Sequence, residues 1–104
     1  MSNVYSARLL GWSASETPPS YECPAGYVTV VRDADVWVGG GSIVNGQLSI
    51  DGVAHFWAFE STIIAVAQVF QWRGRQVMLP GEFLTFASDG ATDGLVSGYQ
   101  LALP

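Results

Sequence analysis

The apolar residues of this chain fall in short runs separated by turn-forming residues. Most runs are too short for a helix and long enough for a strand. Turn signals rich in glycine, proline, asparagine and aspartate stand between the runs, at residues 17–20, 24–26, 39–41, 45–46, 51–52, 73–74, 80–81, 89–90 and 93–94. The pattern predicts an all-β fold, an antiparallel β-sandwich with jelly-roll-like character and about eight short strands, in a single domain covering residues 1–104.

The clearest predicted strand covers residues 27–38. Alternation places Val30, Ala34 and Val36 on an inward face and Asp33, Asp35 and Trp37 on the opposite face. Further strands are predicted at 42–44, 47–50, 53–59, 63–72, 75–79, 82–87 and 95–102, and residues 1–20 are expected to form a less regular N-terminal arm. Asn45-Gly46 is expected to form the type I′ turn of a short hairpin, since both residues tolerate positive φ.

Residues 63–72 are apolar at both odd and even positions. A strand of this kind needs a central place in the fold or a second subunit against its outer face. A helix starting at Ser61 is the competing interpretation, but the β-branched and aromatic residues favour the strand. This segment therefore suggests that the chain packs against other copies of itself.

Composition limits the possible partners. The chain has 104 residues, of which 49% are hydrophobic and 12% charged, and its net charge is −5. Its four basic residues are all arginine, so binding to a nucleic-acid backbone is not expected. We see no signal peptide and no membrane-spanning run, so we expect a soluble product made in a cytoplasm. A surface this poor in charge usually has a neighbour covering part of it.

Catalytic patterns are sparse. Cys23 and His55 are the single cysteine and single histidine, which leaves no His/Cys metal cage, and both are expected in the core or, for His55, at an interface. Asp33 and Asp35 share a strand face and could serve as paired carboxylates or calcium ligands, but pairing with arginine is the simpler interpretation. We therefore expect no enzyme, no cofactor and no metal.

Aromatic residues and arginines supply the candidate interface. Four Trp, four Tyr and five Phe are many for so short a chain, and aromatics are enriched where proteins meet proteins or sugars. Arg73-Gly74-Arg75 is expected at a tight turn, either clamping a carboxylate of a partner subunit or acting as a solubilising hairpin tip. The predicted interface residues are Trp37, Trp57, Phe70, Trp72, Arg73 and Arg75.

Four stretches, residues 21–33, 70–77, 79–82 and 96–101, resemble small β-sandwich structural proteins of tailed bacteriophages, especially phages of actinobacterial hosts. The first contains Pro24-Ala25-Gly26 before the long valine-rich strand, and the second contains Arg73-Gly74-Arg75. The glycine-rich segment at 39–41 departs from the family pattern, so the resemblance says nothing of its role.

The resemblance implies a non-enzymatic virion component, made in the bacterial host cytoplasm and packed as a multimer in the tail or on the capsid, as a minor tail or decoration protein. The expected partners are other copies in a closed ring, most simply a trimer, and other virion proteins; nucleic acid and membranes are not expected. The alternative is a carbohydrate-recognition module, in which Trp37 and Trp57 stack on host surface glycans and Asp33 or Asp35 accepts sugar hydroxyls.

Overall fold

The computed structural model of the chain describes residues 5–15, 17–41, 43–63 and 66–104; for residues 5–7 it describes the backbone only. Parts of the predicted N-terminal arm and of the predicted strands 42–44 and 63–72 lie outside these residues. Eight strands follow one another: β1 Tyr5–Trp12, β2 Ser20–Glu22, β3 Tyr27–Val38, β4 Asn45–Ile50, β5 Ala54–Glu60, β6 Gln68–Met78, β7 Phe83–Ser88 and β8 Asp93–Ala102.

The strands form two four-stranded antiparallel sheets packed face to face. One sheet has the order β1-β8-β3-β6 and the other the order β2-β7-β4-β5, with every neighbouring pair antiparallel. Apart from the consecutive pair β4 and β5, neighbouring strands in each sheet are far apart in the sequence, as in the two Greek keys of a jelly roll. The predicted antiparallel β-sandwich of about eight strands is confirmed.

The core lies between the sheets and is mainly aliphatic. Val31, Ala34 and Val36 of β3 face Leu48 of β4 and Leu84 of β7, and all five are fully buried. Each such side chain contributes about 1.5–3 kcal/mol through removal from water. Cys23, as predicted, is a core residue: it is fully buried, and its sulfur accepts a hydrogen bond from Thr29 Oγ1 at 3.2 Å.

The bounds predicted for β3 are confirmed, but half of its predicted face assignment is wrong. The register shifts between Val31 and Asp33, so Arg32 is an extra, bulged residue. Before the bulge, Thr29 and Val31 are fully buried on the core side, whereas Val28 is only half-buried. Val30 is buried, as predicted, but lies outside the core cluster between the sheets. Because of this one inserted residue, odd-numbered positions face the core before the bulge and even-numbered positions face it after the bulge.

The type I′ turn predicted at Asn45-Gly46 is wrong, because both residues belong to β4. The tight turn instead connects β4 to β5. There Asp51 and Gly52 have φ of 55° and 73°, and the Val53 N–H donates to the Ile50 carbonyl at 3.1 Å. Gly46 serves another purpose. A Cβ there would come within 2.5 Å of the Phe59 ring, so glycine is needed for close packing.

The strand predicted at residues 63–72 is also wrong in its extent. β6 begins at Gln68 and continues through the separately predicted strand 75–79, so Arg73-Gly74-Arg75 lies within a strand and not at a tight turn. The Gln68 side chain instead closes the preceding connection, accepting from Thr62 N–H at 3.3 Å and donating to the Thr62 carbonyl at 2.8 Å. The described residues after Ser61 do not form the competing helix either.

The N-terminal segment is more regular than expected. Tyr5–Trp12 is an eight-residue strand on the edge of the first sheet. Its last residue, Trp12, is buried against Phe86 with ring centroids 4.7 Å apart, and its indole N–H donates to Thr92 Oγ1 at 2.9 Å. Gly94 lies beneath this ring, since a Cβ there would fall 2.1 Å from Trp12 Cζ2. The N-terminal arm prediction is therefore wrong for these residues.

Candidate functional site

Three of the predicted interface residues lie inside the sandwich. Trp57, Phe70 and Trp72 are half-buried where the edge strands β5 and β6 approach each other. Phe70 stacks on Phe59 with centroids 4.5 Å apart, and Trp72 contacts Phe56 edge to face at 5.1 Å. Aromatic rings from both sheets thus close this side of the core. These aromatic side chains are therefore packed mainly against other residues of the same chain.

Arg73 is engaged within its own chain. Its guanidinium lies 3.3 Å from Asp33 Oδ1 and 3.0 Å from Asp35 Oδ1, and it also donates to the Ala34 carbonyl at 3.2 Å. The simpler interpretation of Asp33 and Asp35, pairing with arginine, is confirmed. Arg75 is exposed, and no described residue forms an ion pair with it.

Trp37 is the exposed aromatic of the predicted set. It lies on the outer face of the first sheet, paired in register with Val69 of β6 and Asp93 of β8, and 41% of its surface is accessible. Trp57 and Trp72, the tryptophans of the edge strands β5 and β6, pack against the core cluster instead. The predicted pair of exposed indoles, Trp37 and Trp57, is therefore not formed.

The connections between strands gather at two opposite ends. Val38 at the end of β3 pairs with Gln68 at the start of β6, and Asn45 at the start of β4 pairs with Glu60 at the end of β5. The connections after β1, β3, β5 and β7 form one end, which we call the loop end (described residues of 13–19, 39–44, 61–67 and 89–92). The shorter connections 23–26, 51–53 and 79–82, with residues 103–104, form the turn end.

Exposed apolar side chains concentrate at these two ends. Among the described residues, the exposed large apolar side chains at or beside the loop end are Trp37, Ile43, Ile63, Val66 and Val69. Those at or beside the turn end are Val53, Val77, Leu79, Phe83 and Leu103. The middle of the outer sheet face carries Arg32, Asp33, Asp35 and Arg73 instead. The protein is elongated, with extents of 50 × 23 × 22 Å, and its two poles are apolar.

The two poles differ in shape. The loop end contains a hollow of about 350 Å³, whose apolar wall includes Trp37, Ile43 and Ala91 and whose polar wall includes Asp89 and Asp93. The turn end has a projecting tip instead, the tight β4–β5 turn, where Val53 is 78% exposed. One end is concave and the other convex.

The carboxylates at the loop end are held by donors of the same chain. Asp93 Oδ1 accepts the Ala14 N–H at 2.7 Å, and Asp89 accepts the backbone N–H and the side-chain amide of Asn45 at 2.8 and 2.9 Å. The amide hydrogen bond and then the backbone one hold the pKa of the Asp89 carboxyl below its ordinary value of 3.8. Asp89 is therefore ionised at neutral pH.

The remaining candidate groups do not converge. His55 is exposed opposite Ser49, because the register shift between Leu48 and Ser49 separates its side chain from those of Trp57 and Phe59. It is therefore not a core residue, and the alternative expectation, a place at an interface, stays a prediction. Within the described ranges, we find no group of three His, Cys, Asp or Glu residues that could hold a metal ion. None of the described residues form a helix long and apolar enough to cross a membrane.

Comparison of the chain with family models, with curated proteins and with solved structures gives no match. The resemblance to phage structural proteins, and the interface role of the six predicted residues, stay predictions. Sequence reasoning missed Val53 and Ile43, which are exposed apolar residues next to glycine-containing turns. Their position beside turn signals, where polar residues are usual, was the available signal.

Proposed function

We propose that this protein is a non-enzymatic structural component of a bacteriophage virion, packed in several copies in the tail or on the capsid. The single observation that carries this proposal is the pair of apolar ends on an otherwise self-contained sandwich. A protein that leaves large apolar side chains exposed in groups usually has a partner surface to cover them. Other copies and neighbouring virion proteins would supply that surface, and a trimeric ring is the simplest closed arrangement.

The proposal is non-enzymatic because the reactive side chains are isolated from one another. Cys23, directly after β2, is fully buried and hydrogen-bonded to Thr29, while His55 is exposed on β5, the opposite edge strand of the sheet that contains β2. A nucleophile needs a base within hydrogen-bond reach, and neither group offers the other such contact.

The test is the number of copies in solution and in the particle. Native mass spectrometry and light scattering of the purified chain should give more than one copy, with a trimer as the expected species. Purified phage particles from the source of this sequence should contain the chain in a fixed ratio to the major capsid or tail protein. A strict monomer at millimolar concentration, absent from particles, would contradict the proposal.

A carbohydrate-recognition module is the second candidate, favoured by the exposed Trp37 at the rim of a hollow with two carboxylates, Asp89 and Asp93. Sugars stack on indoles and donate hydroxyls to carboxylates. Calorimetric titration with bacterial cell-wall and capsular glycans should then give a binding heat that Trp37→Ala abolishes and Val69→Ala leaves unchanged. No heat with any glycan would remove this candidate.

A further inference from the structure

The two apolar ends of the molecule are complementary in shape, which indicates how copies would be arranged. The tip at the turn end presents Val53, the most exposed large apolar side chain in the described chain. The hollow at the loop end offers an apolar wall that includes Trp37 and Ile43. An exposed apolar knob and an apolar hollow on different parts of one molecule produce a heterologous contact between copies.

We propose that copies of this chain associate head to tail, with the Val53 turn of one copy seated in the loop-end hollow of the next. This inference rests on the proposed function, which requires self-association, and adds which surfaces meet. The occupant of the hollow is a second copy because each molecule carries both halves of the contact. Neither half is covered by the described residues of its own chain.

Shape favours this contact over one between two like ends. In a contact between two turn ends, two convex tips would meet, each formed by Asp51 and Gly52 in the left-handed conformation. In a contact between two loop ends, both hollows would stay unfilled. The tip is also narrow and internally fixed. Its Asp51 carboxylate accepts the Phe83 N–H at 2.8 Å, and the Asp51 N–H donates to the Phe83 carbonyl at 2.8 Å, so little flexibility is lost on docking.

The area of the contact sets its strength. The shorter extents of 23 and 22 Å limit the cross-section of each end to about 500 Å², so the contact buries at most about 1,000 Å² over the two partners. That value is at the lower limit for a specific interface, so one isolated contact is weak. Head-to-tail contacts between opposite poles can continue from copy to copy, which favours a multimer over a dimer: a ring where the rotation between copies closes, and an open filament where it does not.

The experiment blocks each end separately and then mixes the two variants. Val53→Asp blocks the tip and Ile43→Asp blocks the hollow; both positions are exposed, so folding should be retained. Ala58→Asp makes the same charge change at an exposed residue of β5 that belongs neither to the Val53 turn nor to the lining of the hollow, and it is the matched control. Sedimentation velocity is measured from micromolar to millimolar protein, with unfolding midpoints confirming that each variant is folded.

We expect each end variant to be monomeric, with its association constant reduced about tenfold or more, and Ala58→Asp to behave as the unmodified chain. The equimolar mixture of Val53→Asp and Ile43→Asp should form a dimer and nothing larger, because one intact tip and one intact hollow remain. If either variant alone dimerises, if both keep the multimer, or if the unmodified chain is monomeric, the head-to-tail arrangement is wrong while the proposed function stands. A monomeric unmodified chain that is also absent from phage particles would overturn the proposed function itself.

Discussion

Asp89 and Asn45 bind each other through three hydrogen bonds. Besides the two donated to the Asp89 carboxylate at 2.8 and 2.9 Å, the Asp89 N–H donates to the Asn45 carbonyl at 3.1 Å. The pair joins the first residue of β4 to the connection that follows β7. It lies at the loop end, between the hollow described above and a groove on the outer face of the second sheet.

The lowered pKa of Asp89 makes this link sensitive to acid. Its stabilising contribution is complete above the ordinary value of 3.8 and is lost as the pH falls through the lower pKa of the folded state. Asn45→Ala removes the larger cause of the pKa shift, so it should lower the free energy of unfolding at neutral pH and reduce the further loss as the pH falls from 3.8 through the lower pKa of the folded state. Urea unfolding at several pH values measures both effects. Gln47→Ala, two residues along β4, should keep the acid loss of the unmodified chain; equal pH profiles for both variants would contradict this role.

Gly46 should not accept a side chain. Gly46→Ala places a methyl group 2.5–2.8 Å from the rings of Phe59 and Phe86, which are themselves held in a stacked array. We expect a loss of about 1–3 kcal/mol in the free energy of unfolding, seen as a lower thermal midpoint. Gly39→Ala is the control, because a Cβ there meets nothing within 4 Å. Equal midpoints for the two variants would show that the rings can move aside.

The two arginines of β6 should differ when replaced. Arg73→Ala leaves Asp33 and Asp35 without their cation, but the pair is half-exposed, so the loss of unfolding free energy should be below about 1 kcal/mol. Arg75→Ala should change stability by less than about 0.5 kcal/mol, since no described carboxylate pairs with it, yet weaken the multimer if it clamps a partner. Denaturant titration and sedimentation separate the two quantities. An unchanged multimer with Arg75→Ala would tell against the clamp.

Salt distinguishes apolar end contacts from an arginine clamp. The head-to-tail contact brings Asp51 of one copy near Asp89 and Asp93 of the next, on a chain of net charge −5. Screening should therefore strengthen association as sodium chloride rises from about 50 mM to about 500 mM. Sedimentation equilibrium gives the association constant at each concentration. Weakening with salt would indicate that ion pairs hold the copies together.

The fold class and β3 could be predicted from sequence because alternation over twelve residues is a long signal. The face assignment of β3 failed before Arg32, because one extra residue in a ladder reverses the faces on its two sides without altering the composition. The Asn45-Gly46 and Asp51-Gly52 pairs are equivalent as local turn signals. Tertiary packing decides between them, because the Phe59 ring occupies the space beside Gly46.

The sequence indicated that the chain exposes apolar surface, but not which residues form that surface. The excess of apolar surface could be read from composition, and Trp37 was correctly expected on a face away from the core. The other aromatics could not be placed, since whether Trp57 or Trp72 turns inward depends on where β5 and β6 meet across the sandwich. Ile63 and Val66 are exposed in part because β6 starts only at Gln68.

The hydrogen bond from Trp12 to Thr92 gives the molecule a built-in optical reporter. This indole is buried and stacked on Phe86, whereas Trp37 is exposed to water at the loop end. Detachment of β1 would therefore shift the Trp12 fluorescence to longer wavelength, while covering the loop end would shift the Trp37 emission to shorter wavelength. With Trp57 and Trp72 replaced by phenylalanine, the two remaining indoles would allow release of the first strand and docking of a neighbour to be followed without an attached dye.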